Sequence, residues 1–346
     1  MGKAELLNKV FSQNFTVDNG IKPPLQLKTE NTLCTINFSA QTVTDVLRSF
    51  KNSHAVGPDN FSAAFYKKYA YELSFPLFRV LDSSFKLGKL PSCWKTACVI
   101  PVYKKGNAAN PENYRPISLT CVPCKILERI IRDKLVTYLS ASNLVDPNQF
   151  GFLRGRSSTL HLLRCLDDWT LSLDVGVPTD VIMIDYAKAF DSVSHDKLCY
   201  KLSRFGLGGN VLLWITDFLS NRLQCVRINC KNSEMRPVTS GVPQGSILGP
   251  VLFTIFISDL QVDENLATMP KFADDVDLYR GICNADDQNK LVSALQGLEN
   301  WSNDWQLPIS TQKCSVFQIG TNDLSLDYSL SGNLLNTVSL TKNLGV

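Results

Sequence analysis

Apolar positions along the chain recur with two periods. Phe61, Phe65, Tyr69, Leu73, Leu77 and Leu81 fall at helical spacing, which predicts one helix over 61–81 with Pro76 set to kink it. In "CKILERIIRDKLVTYL" the stripe is Ile126, Leu127, Ile130, Ile131, Leu135, Tyr138 and Leu139, with Glu128 and Arg132 read as an i,i+4 pair on the polar side. "NVLLWITDFL" reads as a helix, and "GSILGPVLFTIFISDL", apolar almost all round, as a buried one. "DDQNKLVSALQGLENWSNDW" carries Leu291, Leu295 and Leu298 on one stripe. The strand signals are "KTACVIPVYKKG", ending in a basic turn, the continuous run "VIMID" ending at Asp185, the pair "LQCVRIN" and "MRPVTS", the strand–turn–strand "KFADDVDLY", and a closing "CSVFQIG". Residues 1–54 mix short apolar runs with polar ones, "KPP" interrupts them, and the turn "AVGPDN" at Ala55–Asn60 precedes the regular pattern.

Strand, helix, strands, helix, hairpin, helix, strand is the order of an α+β layer: an antiparallel sheet backed by helices on one face. Asp185 then ends one strand, and Asp274 and Asp275 sit at a hairpin tip. Two adjacent carboxylates repel by roughly 4 kcal/mol at 4 Å and an effective dielectric near 20. Either the pair lies in water as an ordinary turn, or a cation sits against it. Three convergent aspartates without histidine or cysteine are hard oxygen ligands, suited to Mg²⁺ or Mn²⁺. Two such ions can clamp the attacking and leaving oxygens of a phosphoryl displacement.

Composition narrows the class. The 346 residues are 44% hydrophobic and 19% charged, an ordinary globular balance. A net charge of +3 does not announce a nucleic-acid partner, so local basic clusters must do so. The 11 cysteines, an odd number without short framing loops, suit free thiols in a reducing, intracellular setting, cytoplasm or nucleus. "CVPC" at 121–124 has zinc-like spacing, but with 3 histidines in all and no second close pair it reads as core. The start lacks the apolar segment of a signal peptide, and no run of 18 apolar residues predicts a membrane span.

"SGVPQGSILGP" puts three glycines and two prolines at the mouth of a helix, where backbone can approach a ligand closely. "VYKKGN" and "ENYRPISL" add Lys104, Lys105 and Arg115, charges that can meet a triphosphate. In this order, "NYRPISLTCVPCKILERII", "NQFGFLRGRSS", "DYAKAFDSVSHDKL", "SGVPQGSILGPVLFTIFISDL" and "FADD" resemble the successive blocks of the reverse transcriptases of non-LTR (LINE-type, jockey-like) retrotransposons. The likeness runs from about Ala55 to the end.

The resemblance implies a right-hand polymerase, with fingers at about 55–175, a palm at about 176–346, an extension over 1–54 and no thumb. It implies an RNA-directed DNA polymerase acting on RNA template, DNA primer and dNTPs with two Mg²⁺ or Mn²⁺ ions on Asp185, Asp274 and Asp275. Phe190 is then the gate against a ribose 2′-hydroxyl, and Gln244 and Gly245 lie beside the incoming nucleotide and template. Lys104 or Lys105 and Arg115 hold the triphosphate. Lys313, in "STQKCSVF", protonates pyrophosphate. The flanking endonuclease and thumb of the family are expected to be needed for full function. Phe272 and Val276 replace the family's usual tyrosine and threonine, and Asp277 is an added acid expected to face solvent. The competing reading is a weakly active or inactive retrotransposon fragment left with nucleic-acid binding alone.

Overall fold

The computed structural model describes residues 2–321, 327–341 and 343–344. The chain forms two compact units, Met1–Leu144 with Phe190–Leu252, and Val145–Ala189 with Phe253–Val346. The fold is mixed α and β, with mostly antiparallel strand pairs.

In the first unit, strand Thr96–Tyr103 pairs antiparallel with Tyr114–Leu119 and parallel with Arg222–Ile228. Arg222–Ile228 pairs in turn with Arg236–Val238, the partnership expected of "LQCVRIN" and "MRPVTS". Helix Lys3–Ser12 lies on this sheet and buries Leu7 and Phe11 against Val99 and Val226. Its Asn8 is wholly buried and fully engaged. The amide donates to Ser233 Oγ (2.9 Å) and the Glu234 carbonyl (2.8 Å), and its oxygen accepts from Gln224 Nε2 (3.2 Å).

Two helix readings change. The stretch 61–81 is not one helix: Ala63–Lys68 ends, and Ala70–Leu87 begins, at Tyr69, whose backbone (φ −106°, ψ 33°) is not helical. The second helix continues through Pro76. Glu128 is not on a polar face either. It is buried, and its carboxylate accepts from the backbone N–H groups of Ile247 (2.8 Å) and Leu248 (3.2 Å), while Arg132 pairs with Asp133.

In the second unit, strand Thr179–Asp185 is central. Asp275–Gly281 and Ser315–Ile319 flank it, both antiparallel, and Lys271–Phe272 and Asn336–Val338 lie outside them. Val181 and Ile182 point to opposite faces and both are fully buried, so both faces of the sheet are covered rather than one. Helix Ser158–Asp174 covers the face of Val181, with Cys165, Trp169 and Tyr279. Helix Ala285–Trp305 packs on strand Asp275–Gly281 and brings buried Leu291, Leu295 and Leu298.

Candidate active site

The pairing register of the second unit decides where the three aspartates go. Asp185, last residue of the central strand, lies directly opposite Asp275, first residue of its neighbour. Directly opposed residues of an antiparallel pair hold their Cβ atoms about 5 Å apart. Asp274 is the preceding residue, in the turn that joins Phe272 to Asp275. Sequence position puts the three at a strand end and a hairpin tip, and the register puts those at one sheet edge.

The electrostatics of that edge are unfavourable to its own charges. Partial burial first, then the negative charges of Asp274, Asp185 and Asp277, lifts the Asp275 carboxyl from the ordinary carboxylate range to about 6. Its residue surface is nonetheless exposed, so a ligand can reach it. Lys313 Nζ sits 2.9 Å from Asp185 Oδ1, with both side chains partly exposed. The turn carrying Lys313 is tied to the same strand end. The Ser310 N–H donates to the Asp185 carbonyl (2.8 Å), and the Ala187 N–H donates to the Pro308 carbonyl (2.7 Å).

The donor set of Asp185, Asp274 and Asp275 is all carboxylate oxygen, and its mutual repulsion adds to the burial that raises the Asp275 carboxyl. Both features fit a divalent oxygen-seeking cation such as Mg²⁺ or Mn²⁺.

Asp277 belongs elsewhere, and here the sequence reading is corrected. It is buried, not solvent-facing. His161 Nε2 lies 2.7 Å from its Oδ2, Asn343 Nδ2 donates to the same oxygen at 2.8 Å, and the Cys165 thiol approaches at 4.0 Å. A histidine and a cysteine are therefore near the aspartate hairpin after all, but they face Asp277 from helix Ser158–Asp174. Burial and then the Asp277 charge push the Cys165 thiol up, so it stays protonated.

The remaining predicted residues lie in the first unit. Lys104 and Lys105 follow strand Thr96–Tyr103 at an exposed turn, and Arg115, also exposed, pairs in register with Val102. Three cationic side chains thus share one end of a two-stranded ribbon. Gly245 has a φ of +109°, and a Cβ there would meet the Ser118 carbonyl oxygen at 2.8 Å. Glycine is what lets Ser118 N–H donate to the Gln244 carbonyl at 2.7 Å. The Gln244 side chain donates to Asp191 Oδ1 (2.9 Å), and Val242 N–H donates to the Phe190 carbonyl (2.8 Å). The stretch Phe190–Asp191 and the loop "SGVPQGS" are thereby one assembly, whose far side is pinned by buried Glu128. A cavity lined by Phe15, Pro116, Asp191, Gln224, Pro243 and Gln244 opens beside it. Sequence reasoning misses Glu128 and Asp191. Neither stands in a motif position that periodicity marks.

Residues 102–345 match the family described as reverse transcriptase (RNA-dependent DNA polymerase). The chain belongs to that family. It is 28% identical over 331 residues to a probable RNA-directed DNA polymerase from transposon BS of Drosophila melanogaster, covering 88% of this chain and 35% of that protein. Over 279 residues it is 29% identical to the RNA-directed DNA polymerase from mobile element jockey of the same species, covering 77% of this chain and 30% of the relative. The jockey polymerase of Drosophila funebris aligns with 97% of this chain at 25% identity. The chain spans about a third of the length of these relatives. Among the described residues no helix is long and apolar enough to cross a membrane.

Proposed function

We propose that this chain is the RNA-templated DNA-synthesising part of a non-LTR retrotransposon polymerase, with the fingers and palm of a right hand. The proposal keeps an extension over 1–54, fingers over about 55–175 and a palm over about 176–346. The observation that carries it is the register of Asp185 against Asp275, with Asp274 next in the turn.

The reaction is attack of a primer 3′-hydroxyl on the α-phosphate of a dNTP, with pyrophosphate leaving. Two divalent ions held by Asp185, Asp274 and Asp275 would supply Lewis-acid stabilisation to the attacking and leaving oxygens. The other steps belong to side chains. Lys313, kept at the strand end by Asp185, donates a proton to the departing pyrophosphate. Lys104, Lys105 and Arg115 hold the triphosphate through charge-assisted hydrogen bonds. Gln244 and Gly245 offer amide and backbone to the nucleotide and template, and Asp191 sets the rotamer of Gln244. The half-buried ring of Phe190 closes the space a 2′-hydroxyl needs.

The test is primer extension on an RNA template with dNTPs and Mg²⁺ or Mn²⁺, with Asp275→Asn as the blank. Templated extension that vanishes in Asp275→Asn is the expected result. A folded wild-type protein that binds the primer–template and extends it in neither metal would leave only nucleic-acid binding.

A further inference from the structure

The turn that presents Asp274 and Asp275 is built on an unusual residue. Ala273, the first residue of the two-residue connection between Phe272 and Asp275, has a φ of +56° and is buried. Alanine avoids that left-handed region because its Cβ crowds the following carbonyl. Some contact has to hold it there, because otherwise the two carboxylates would swing away from the strand end.

That contact comes from "NQFGFLRG". The side-chain oxygen of Gln149 accepts from the Ala273 N–H at 2.9 Å and from the Gly151 N–H at 2.7 Å. Gln149 is 1% exposed, and its backbone is bridged in parallel to Lys271. The Lys271 N–H donates to the Asn148 carbonyl (2.8 Å), and the Phe150 N–H donates to the Lys271 carbonyl (2.7 Å). Gly151 permits the approach, since a Cβ there would stand 2.4 Å from the Ala273 nitrogen. The segment is itself braced. Arg156 Nη1 donates to the carbonyl of Gln149 at 2.5 Å, and buried Lys271 pairs with buried Asp146 at 2.5 Å.

We infer that Gln149 is a positioning residue of the metal-binding hairpin. Its side-chain amide oxygen fixes the left-handed backbone at Ala273 and so aims Asp274 and Asp275 at the strand end that carries Asp185. The inference rests on the reading of those three aspartates as metal ligands. An amide suits the place better than a carboxylate, because it accepts both N–H groups without adding a charge beside three acids. Supporting groups behind metal ligands orient those ligands and so tune affinity and rate.

The experiment measures the Mn²⁺ dissociation constant, the kcat and KM of primer extension, and Tm for the wild type and five variants. Gln149→Met keeps volume and removes the acceptor. Gln149→Glu keeps the acceptor. Ala273→Gly lets the backbone adopt its φ freely, and the double variant Gln149→Met/Ala273→Gly couples the two. Asp275→Asn reports on the site itself. Gln149→Met is expected to weaken Mn²⁺ and lower kcat by about 10–100-fold, with KM for dNTP within about twofold. Gln149→Glu, which keeps the acceptor but adds a charge, should bind Mn²⁺ better than Gln149→Met does, and the double variant should recover most of what Gln149→Met loses. A Gln149→Met protein with a lower Tm but unchanged Mn²⁺ affinity and kcat overturns the clamp, as does a double variant no better than the single one. Should Gln149→Met fail to fold, the coupling is read from Gln149→Asn, whose shorter side chain withdraws the amide oxygen from the Ala273 N–H, with and without Ala273→Gly: recovery of Mn²⁺ affinity in the pair supports the clamp, and no recovery overturns it. If Asp275→Asn binds Mn²⁺ as the wild type does, the ligand reading falls and this inference with it. If Asp275→Asn loses Mn²⁺ and Gln149→Met does not, the clamp alone falls.

Discussion

Two carboxylate groups lie on one hairpin, two residues apart, and the protein treats them in opposite ways. Asp277 is buried and surrounded by donors: the His161 ring, the Asn343 amide and the Cys165 thiol. Asp275 is exposed and surrounded by acids, and its carboxyl is lifted to about 6 by partial burial and by Asp274, Asp185 and Asp277. One cluster finds its hydrogen-bond donors inside the fold. The other gathers its acids at the strand end, with Lys313 against Asp185. A charge that the fold itself satisfies contributes to structure. A set of acids that repel one another at an exposed strand end is a candidate ligand site.

The contrast is broken most directly at its exposed half. Asp185→Asn and Asp275→Asn each remove one proposed metal ligand and one like charge. We expect at least about a thousandfold loss of extension, consistent with electrostatic stabilisation being the largest catalytic contribution. Stability without metal should hold or rise slightly, since a repulsive neighbour is gone. Retained extension in both variants would sink the assignment of these residues.

The buried half should respond in stability instead. Asp277→Ala leaves the buried His161 ring and the Asn343 amide without their acceptor and is expected to cost about 1–3 kcal/mol. Denaturant unfolding measures it, and extension per folded molecule should stay within a few-fold. If extension collapses while the protein remains folded, the two clusters are not separable and the comparison is wrong.

Between these extremes lies Lys313, a cation that touches the exposed cluster at Asp185. Lys313→Met removes the proton donor without removing a metal ligand. We expect a loss of about a hundredfold in kcat, with Mn²⁺ affinity unchanged or slightly raised because the ammonium no longer competes for Asp185. A single-turnover rate equal to the wild type would return Lys313 to a surface role.

Much of this is legible in the sequence, and what is not has physical reasons. "VIMID" announces a buried strand, and Asp185 at its end is conspicuous because a charge closes an apolar run. The alternation rule itself misplaces Asp277. Val276 and Leu278 face one way, so Asp277 faces the other, and alternation alone equates that other side with solvent. It is covered by helix Ser158–Asp174, whose His161 and Cys165 stand one turn apart on the same face. That i,i+4 pair is the available signal. Glu128 escapes because a helical stripe says nothing of a loop docking from 119 residues away. Gln149 gives no periodic signal at all: its partner is 124 residues distant and is a backbone N–H, which any residue but proline would offer. Tyr69 breaks a helix that spacing alone carries through.

The smallest effect is also the one that reads the exposed cluster without mutation. The Asp275 carboxyl titrates at about 6 in the folded protein, against about 3.9 in an unfolded chain. Because the folded value is the higher, protonation favours the fold. This contribution is fully present below about pH 4 and is lost as pH rises through about 6. Metal binding must run the other way, since a cation needs the ionised carboxylate. Mn²⁺ affinity should therefore climb by up to about tenfold per pH unit below 6 and level off above it, with a proton released on binding and taken up again when the ion leaves. Thermal melts and Mn²⁺ titrations between pH 5 and 8 supply both curves. Metal-free Tm should fall with pH where Mn²⁺ affinity rises, and the two should cross-compensate when the ion is present. Asp275→Asn should flatten the first curve. A wild-type Mn²⁺ affinity that does not change from pH 5 to 8 would mean that the ion sits on groups already ionised, and that the repulsion at this strand end is not what the ion relieves.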